Sequence, residues 1–186
     1  MKSTGKTLTL AGQMPLRQFQ SPLSRDPETI LEYSNVLDIS KAWKVKEFSC
    51  WLQGTAAEMG LNKTVAIGLD VQLSTDTIPN QPDWNNAGEN RAVGWGTLSY
   101  YITQANVKPD APQGGYARLL MNSEYWMMKD HVIQNKLTIS AQAPGASDLE
   151  SGTGYVLNYI VELEEMDITA TESIVYNIKS KAQDLS

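Results

Sequence analysis

The sequence predicts an all-β fold: a single jelly-roll β-sandwich of about eight strands with an extended N-terminal arm and a short C-terminal helix. Several segments alternate apolar with other residues at the period-two spacing of β-strands. The 13 Gly and 8 Pro are spread along the chain, as turns between strands require. A single cysteine excludes the Cys–Trp–Cys pattern of immunoglobulin domains, which favours the jelly roll over an immunoglobulin-like sandwich.

Residues 1–37 form the least regular part of the chain, and we expect them to be an arm that becomes ordered on another surface. A short strand is predicted at 7–10 and a turn of helix at 28–33, with Pro15, Pro22 and Pro27 between or beside them. The jelly-roll domain is then expected over 38–186, ending in a helix at about 169–183.

Strands are predicted most clearly at 64–74 and in the last strand, which starts near residue 155. In the first of these, the alternate residues from Val65 to Leu73 are all apolar. In the last strand, the face that includes Leu157, Tyr159 and Val161 is apolar. Further strands are expected at 42–52, 91–103, 116–121 and 131–143. The long segment 76–89 is predicted to be a functional or interfacial loop.

The C-terminal helix is predicted from a capping box, in which Thr169 and Glu172 each bond the backbone N–H of the other. It is followed by an apolar stripe at helical spacing, formed by Ile174, Val175, Ile178 and Ala182. This stripe must cover either the protein's own sandwich or a neighbouring subunit.

The net charge of −6 is unevenly distributed. Residues 1–25 carry four basic residues and no acid, whereas the remaining 11 basic and 21 acidic residues leave −10 on the rest. The basic residues are candidates for contacts with something anionic or with a neighbouring subunit: Lys2, Lys6, Arg17 and Arg25. The acidic residues Glu162, Glu164, Glu165 and Asp167 would repel one another unless basic side chains from another strand or subunit lie opposite.

No residue is predicted to be catalytic, and no cofactor or metal site is predicted. His131 is the only histidine, which excludes two-histidine metal sites, and a surface or edge position is favoured over a catalytic pair with Asp130. Cys50 is expected to be a buried structural thiol. Acidic residues in turns could bind calcium or act as a glycosidase pair, but solvated turn residues are favoured: Asp76, Asp83, Glu89, Asp148 and Glu150.

Aromatic residues leave three interpretations open. A sugar-stacking platform, a sandwich core and a subunit contact would all use them: Trp84, Trp95, Tyr100, Tyr101 and Trp126. The alternative function is therefore a carbohydrate-binding β-sandwich module. The chain lacks a signal-peptide pattern and a long apolar run, so we expect a soluble protein in a reducing setting, without membrane contact.

The chain resembles the small single jelly-roll capsid proteins of viruses, particularly those of environmental Rep-encoding single-stranded DNA viruses. The resemblance is carried by residues 158–166, by 169–174 and by 178–184, with weaker similarity at 39–43 and 90–95. It covers about two-thirds of the chain, and its motifs are general in character.

The resemblance implies a structural coat protein rather than an enzyme, whose copies form an icosahedral homo-oligomeric shell around a genome. It implies a location in the virion, and in the host cell interior during assembly. Such proteins often begin with a strongly basic arm, and the present arm has only four basic residues. Only weak contact with the packaged nucleic acid is therefore expected. Trp84, Ile174, Val175 and Ile178 are the candidate subunit contacts.

Overall fold

The computed structural model of the protein describes residues 1–16, 26–32, 39–53, 65–76, 88–102, 119–122, 127–142 and 155–181. These ranges contain eight strands and one helix. In chain order they are β1 (Lys2–Leu16), β2 (Asp26–Glu32), β3 (Lys41–Gln53), β4 (Val65–Ser74), β5 (Ala92–Ile102), β6 (Leu119–Asn122), β7 (Lys136–Gln142), β8 (Tyr155–Asp167) and α1 (Ala170–Lys181).

The strands form two four-stranded antiparallel sheets, with the orders β1-β8-β3-β6 and β2-β7-β4-β5. Among these eight strands, β4 and β5 are the only pair consecutive in sequence that also lie side by side in one sheet. Every other connection crosses from one sheet to the other. This winding is that of a jelly roll, so the predicted all-β jelly roll is confirmed.

The core lies between the two sheets and is built from the period-two faces. On β4 the side chains of Leu69, Val71 and Leu73 are fully buried in the core cluster, because period-two alternation places them on the same face of the strand. The sheet that contains β8 contributes Leu157 and Leu163, which are equally buried. The predicted apolar faces of these two strands are therefore the two walls of one core.

The arm expected over residues 1–37 is not observed in the described part of that segment. β1 pairs with β8 from Lys2 to Leu16, and β2 pairs with β7. The inward-facing Leu8, Leu10 and Met14 of β1 pack into the core, so these residues are held by burial within their own chain. Residues 28–32, where a turn of helix was predicted, are part of β2.

The C-terminal helix is confirmed. β8 ends at Asp167, and α1 begins at Ala170 after two connecting residues. Within the described ranges, no helix has the length and apolar character needed to cross a membrane.

Candidate functional site

Helix α1 begins with the capping box that the sequence predicts. The Thr169 hydroxyl accepts a hydrogen bond from the backbone N–H of Glu172 at 3.2 Å, and the Glu172 carboxylate accepts one from the N–H of Thr169 at 2.8 Å. The ammonium group of Met1 lies 2.6 Å from the same carboxylate. This ammonium, together with the Thr169 bonds, lowers the pKa of Glu172 from 4.5 to about 2. The first turn is therefore anchored with its acid ionised.

One face of α1 is attached to the sandwich by polar and apolar contacts. The Gln134 amide donates to the Ser173 hydroxyl at 2.7 Å, and the Lys179 ammonium donates to Asp130 at 2.9 Å. Between these two bonds, Tyr176 packs on a small apolar cluster. Its buried members are Ala42, Val132, Met166 and Ile168. The face of α1 that includes Ser173 and Tyr176 therefore packs against the sandwich.

The predicted apolar stripe lies on the opposite side of α1. Ile174, Val175 and Ile178 are 63%, 54% and 64% exposed. Since the helix buries Ser173 and exposes these three, the stripe does not cover the protein's own sandwich. Ala182, the fourth predicted member, lies outside the described residues.

The other large apolar side chains that are exposed in the described ranges are Met1 and Ile39, and both lie near the start of α1. Met1 reaches Glu172 through its ammonium group. Ile39 precedes Ser40, whose carbonyl accepts a hydrogen bond from the N–H of Ile168 at 2.8 Å. The end of the molecule that carries α1 thus holds all the large, exposed apolar side chains of the described ranges.

Of the four basic candidates, the structure describes two. Lys2 is exposed at the start of β1. Lys6 is also exposed, and its ammonium lies 3.3 Å from the carboxylate of Glu165 on β8. Arg17 and Arg25 lie outside the described residues, as does Trp84. The arrangement directs Lys6 toward an acid of its own chain.

The acidic residues of β8 are matched by lysines from the flanking strands. Lys46 of β3 donates to Glu162 at 2.9 Å, and this bond raises the pKa of Lys46. Lys41 of β3 bonds Asp167 and lies 3.9 Å from Glu165. The expectation that basic side chains from another strand lie opposite these acids is therefore confirmed.

His131 is buried, with 3% of its surface exposed, so the expected surface or edge position is wrong. Its Nε2 atom lies 3.5 Å from the Thr75 hydroxyl, and its Nδ1 atom has no hydrogen-bond partner among the described residues. Burial, with a smaller effect of the nearby Lys179, lowers the pKa of His131 from 6.5 to about 4. Asp130, its sequence neighbour, instead bonds Lys179, and the histidine is neutral near neutral pH.

A buried ion pair lies close to His131, and no pattern in the sequence predicts it. The guanidinium of Arg91 donates to both carboxylate oxygens of Glu89, each at 2.7 Å. Glu89 is 2% exposed and Arg91 is 6% exposed, so the expectation that Glu89 is a solvated turn residue is wrong. The carbonyl of Arg91 also accepts bonds from Thr75. These Thr75–Arg91 bonds join the residue after β4 to the residue before β5.

The remaining candidates show little chemistry in the described ranges. Cys50 is fully buried, as expected of a structural thiol. Asp76 forms an ion pair with Lys136 at 2.6 Å. The described part of the chain contains no group of three or more His, Cys, Asp or Glu residues that could hold a metal ion. Asp83, Asp148, Glu150 and Trp126 lie outside it, and the structure gives no side-chain description for Tyr100 or Tyr101.

The sequence matches no protein-family model and no curated protein. Among solved structures the chain is similar to viral capsid proteins. A decameric BFDV capsid protein is 11% identical, with a TM-score of 0.37, and the match covers 88% of this chain and 99% of that one.

Two further structures show a similar relationship. The Desmodium yellow mottle tymovirus structure is 9% identical with a TM-score of 0.34, over 90% of this chain and 86% of that one. Human polyomavirus 12 VP1, solved with 3'-sialyllactosamine, is 9% identical with a TM-score of 0.38, over 86% of this chain and 81% of that one. The narrower resemblance to environmental Rep-encoding viruses stays a prediction.

Proposed function

We propose that the chain is a viral coat protein whose copies assemble into a closed shell. The observation that carries the proposal is the apolar stripe of α1, which is exposed on a helix whose other face is fixed to a jelly roll. Jelly rolls serve as the rigid unit of viral capsids, and exposed apolar stripes mark surfaces that bind another molecule. A rigid sandwich with such a stripe suits a repeated subunit contact.

The shell is proposed to be an icosahedral homo-oligomer that encloses a genome in a virion assembled inside the host cell. Symmetry repeats each contact many times, so individually weak contacts suffice for a stable particle. Trp84 is proposed as a further subunit contact, in addition to the α1 stripe.

Lys2, Lys6, Arg17 and Arg25 are proposed to face the genome or a neighbouring subunit. Four charges neutralise few phosphates, and the carboxylate of Glu165 already lies near Lys6. Contact with nucleic acid is therefore proposed to be weak. Assembly should then depend little on whether nucleic acid is present.

The test is negative-stain electron microscopy combined with light scattering on the purified recombinant protein. Closed particles of uniform diameter are expected as protein concentration and salt are varied. A monodisperse monomer under all these conditions would contradict the coat function. A glycan-binding screen on that monomer would then test the alternative of a carbohydrate-binding module.

A further inference from the structure

We propose that the α1 stripe packs against the same stripe of a second copy, with the two helices antiparallel across a twofold axis. The stripe is formed by Ile174, Val175 and Ile178. This inference rests on the proposed function, because it names the partner of the surface from which assembly was argued.

The geometry of the stripe fits a helix of the same kind. Ile174 and Ile178 are one turn apart on the same side of α1, and Val175 lies beside them. In an antiparallel pair centred near residue 176, Ile174 and Val175 of one copy lie against Ile178 of the other. The same surface then serves both copies, as a twofold axis requires.

The charges around the stripe also favour a second copy over an anionic membrane. The charged residues of α1 are Glu172, Lys179 and Lys181, of which Glu172 and Lys179 are bonded within their own chain. The exposed neighbours Ala170 and Thr171 are neutral. Helices that lie on anionic membranes carry rows of free Lys and Arg on the polar face, whereas an uncharged stripe can pair with its own copy.

The polarity of the helix gives the antiparallel direction. Glu172 lies in the acidic first turn of α1, and positions 179 and 181 near its end are lysines. Antiparallel packing places position 181 opposite position 171 of the other copy, next to its acidic first turn. It also sets the two helix dipoles antiparallel, so that the positive end of each lies beside the negative end of the other. A parallel pair would place like ends together.

The size of the surface limits the strength of the contact. Each exposed side chain of the stripe offers on the order of 100 Å² of apolar area. Stable specific interfaces bury about 800 Å² per partner. The helix pair is therefore a weak contact that persists when other contacts in a shell hold the two copies together.

Disulfide cross-linking between two single-cysteine variants tests the arrangement. Ile174→Cys and Ile178→Cys are prepared separately, one of them with a tag that changes its size, then mixed under assembly conditions and oxidised. The native Cys50 is fully buried, so the unchanged chain is the control. The antiparallel pair predicts a cross-linked heterodimer in the mixture at several times the level of same-variant dimers.

Same-variant dimers in excess, or no cross-link above the unchanged chain, would overturn the inference. Electron microscopy of the same samples separates this from the proposed function. Particles without the crossed disulfide contradict the helix pair alone, while crossed dimers that form no particle under any condition contradict the coat function alone.

A charge variant gives a second readout. Because Ile178 is 64% exposed, Ile178→Asp leaves the core intact but places a carboxylate against Ile174 of the other copy on each side of the axis. It should raise the protein concentration at which particles appear by about tenfold or more. Ala170→Asp is the matched control, because it adds the same charge to the first turn beside the stripe. Equal effects of the two variants would contradict the contact.

Discussion

At the scale of single residues, the buried cluster formed by Thr75, Glu89, Arg91 and His131 departs most from what the sequence suggests. His131 is neutral near neutral pH because burial lowers its pKa to about 4. Asp130 and Lys179 are the charged groups that affect it, with opposite signs. Titration of His131, the only histidine of the chain, should therefore make the stability depend on pH between about 4 and 6.5.

Stability should fall as the pH is lowered from about 6.5 to about 4. In this window the unfolded chain binds a proton at His131 and the folded chain does not, so each step toward acid favours unfolding. The loss should approach about 3 kcal/mol. Urea unfolding at pH 7 and pH 4 measures it, and His131→Gln, whose side chain does not titrate in this range, should show a smaller loss. Equal losses in the two proteins would contradict the buried neutral histidine.

Breaking the buried ion pair should be far more costly than breaking an exposed one. Glu89→Gln leaves the guanidinium of Arg91 buried without its anionic partner, and should lower the free energy of unfolding by about 3–5 kcal/mol. Glu162→Gln is the control, because the same change affects the exposed pair with Lys46 and should have a much smaller effect. Denaturant midpoints of the two variants measure the difference, which similar midpoints would refute.

At the scale of elements, the pairing of β1 with β8 depends on a glycine. Gly12 lies opposite Tyr159 in this pair, and the Tyr159 ring lies across it. A Cβ atom at position 12 would overlap the Tyr159 hydroxyl oxygen and lie 2.6 Å from the ring carbon that bears it. Glycine is therefore required here by close packing.

Gly12→Ala should destabilise the protein by about 1–3 kcal/mol, since the ring must leave its place in the core. A double-mutant cycle with Tyr159→Leu tests the cause. In the leucine background the cost of Gly12→Ala should fall, because no ring lies over position 12. An unchanged cost in that background would show that some other contact is responsible. Denaturant unfolding of the four proteins supplies the values.

At the scale of the whole molecule, the sandwich and α1 have separate roles. The main core is formed by the strands, whereas Tyr176 of α1 packs only on the small cluster beside it. The helix can therefore be removed without opening the main core. The exposed stripe of α1 is not needed for packing within the chain.

Deletion of residues 169–186 should abolish particle formation while the sandwich stays folded, because the proposed contact surface is lost and the main core is kept. Light scattering measures assembly, and circular dichroism in the far ultraviolet measures folding. Deletion of 182–186 is the control, since it leaves α1 in place and should allow assembly. Normal particles from the longer deletion would refute the role of the helix.

The sequence by itself determined the elements whose patterns are local. Period-two alternation located the long strands β4 and β8, because successive side chains in a strand point to opposite faces. The capping box located the start of α1, because its bonds join residues only three apart. The acidic run on β8 required lysines opposite, which β3 supplies.

Only the tertiary structure decided which partner each face meets. It placed β1 and β2 in the sheets instead of an arm, because packing against the core outweighs the interruptions at Gly12 and Pro15 in their local pattern. It buried His131 and Glu89 and turned the α1 stripe outward. A periodic pattern shows that a face is apolar, whereas the long-range packing of the chain determines whether the protein or another molecule covers it.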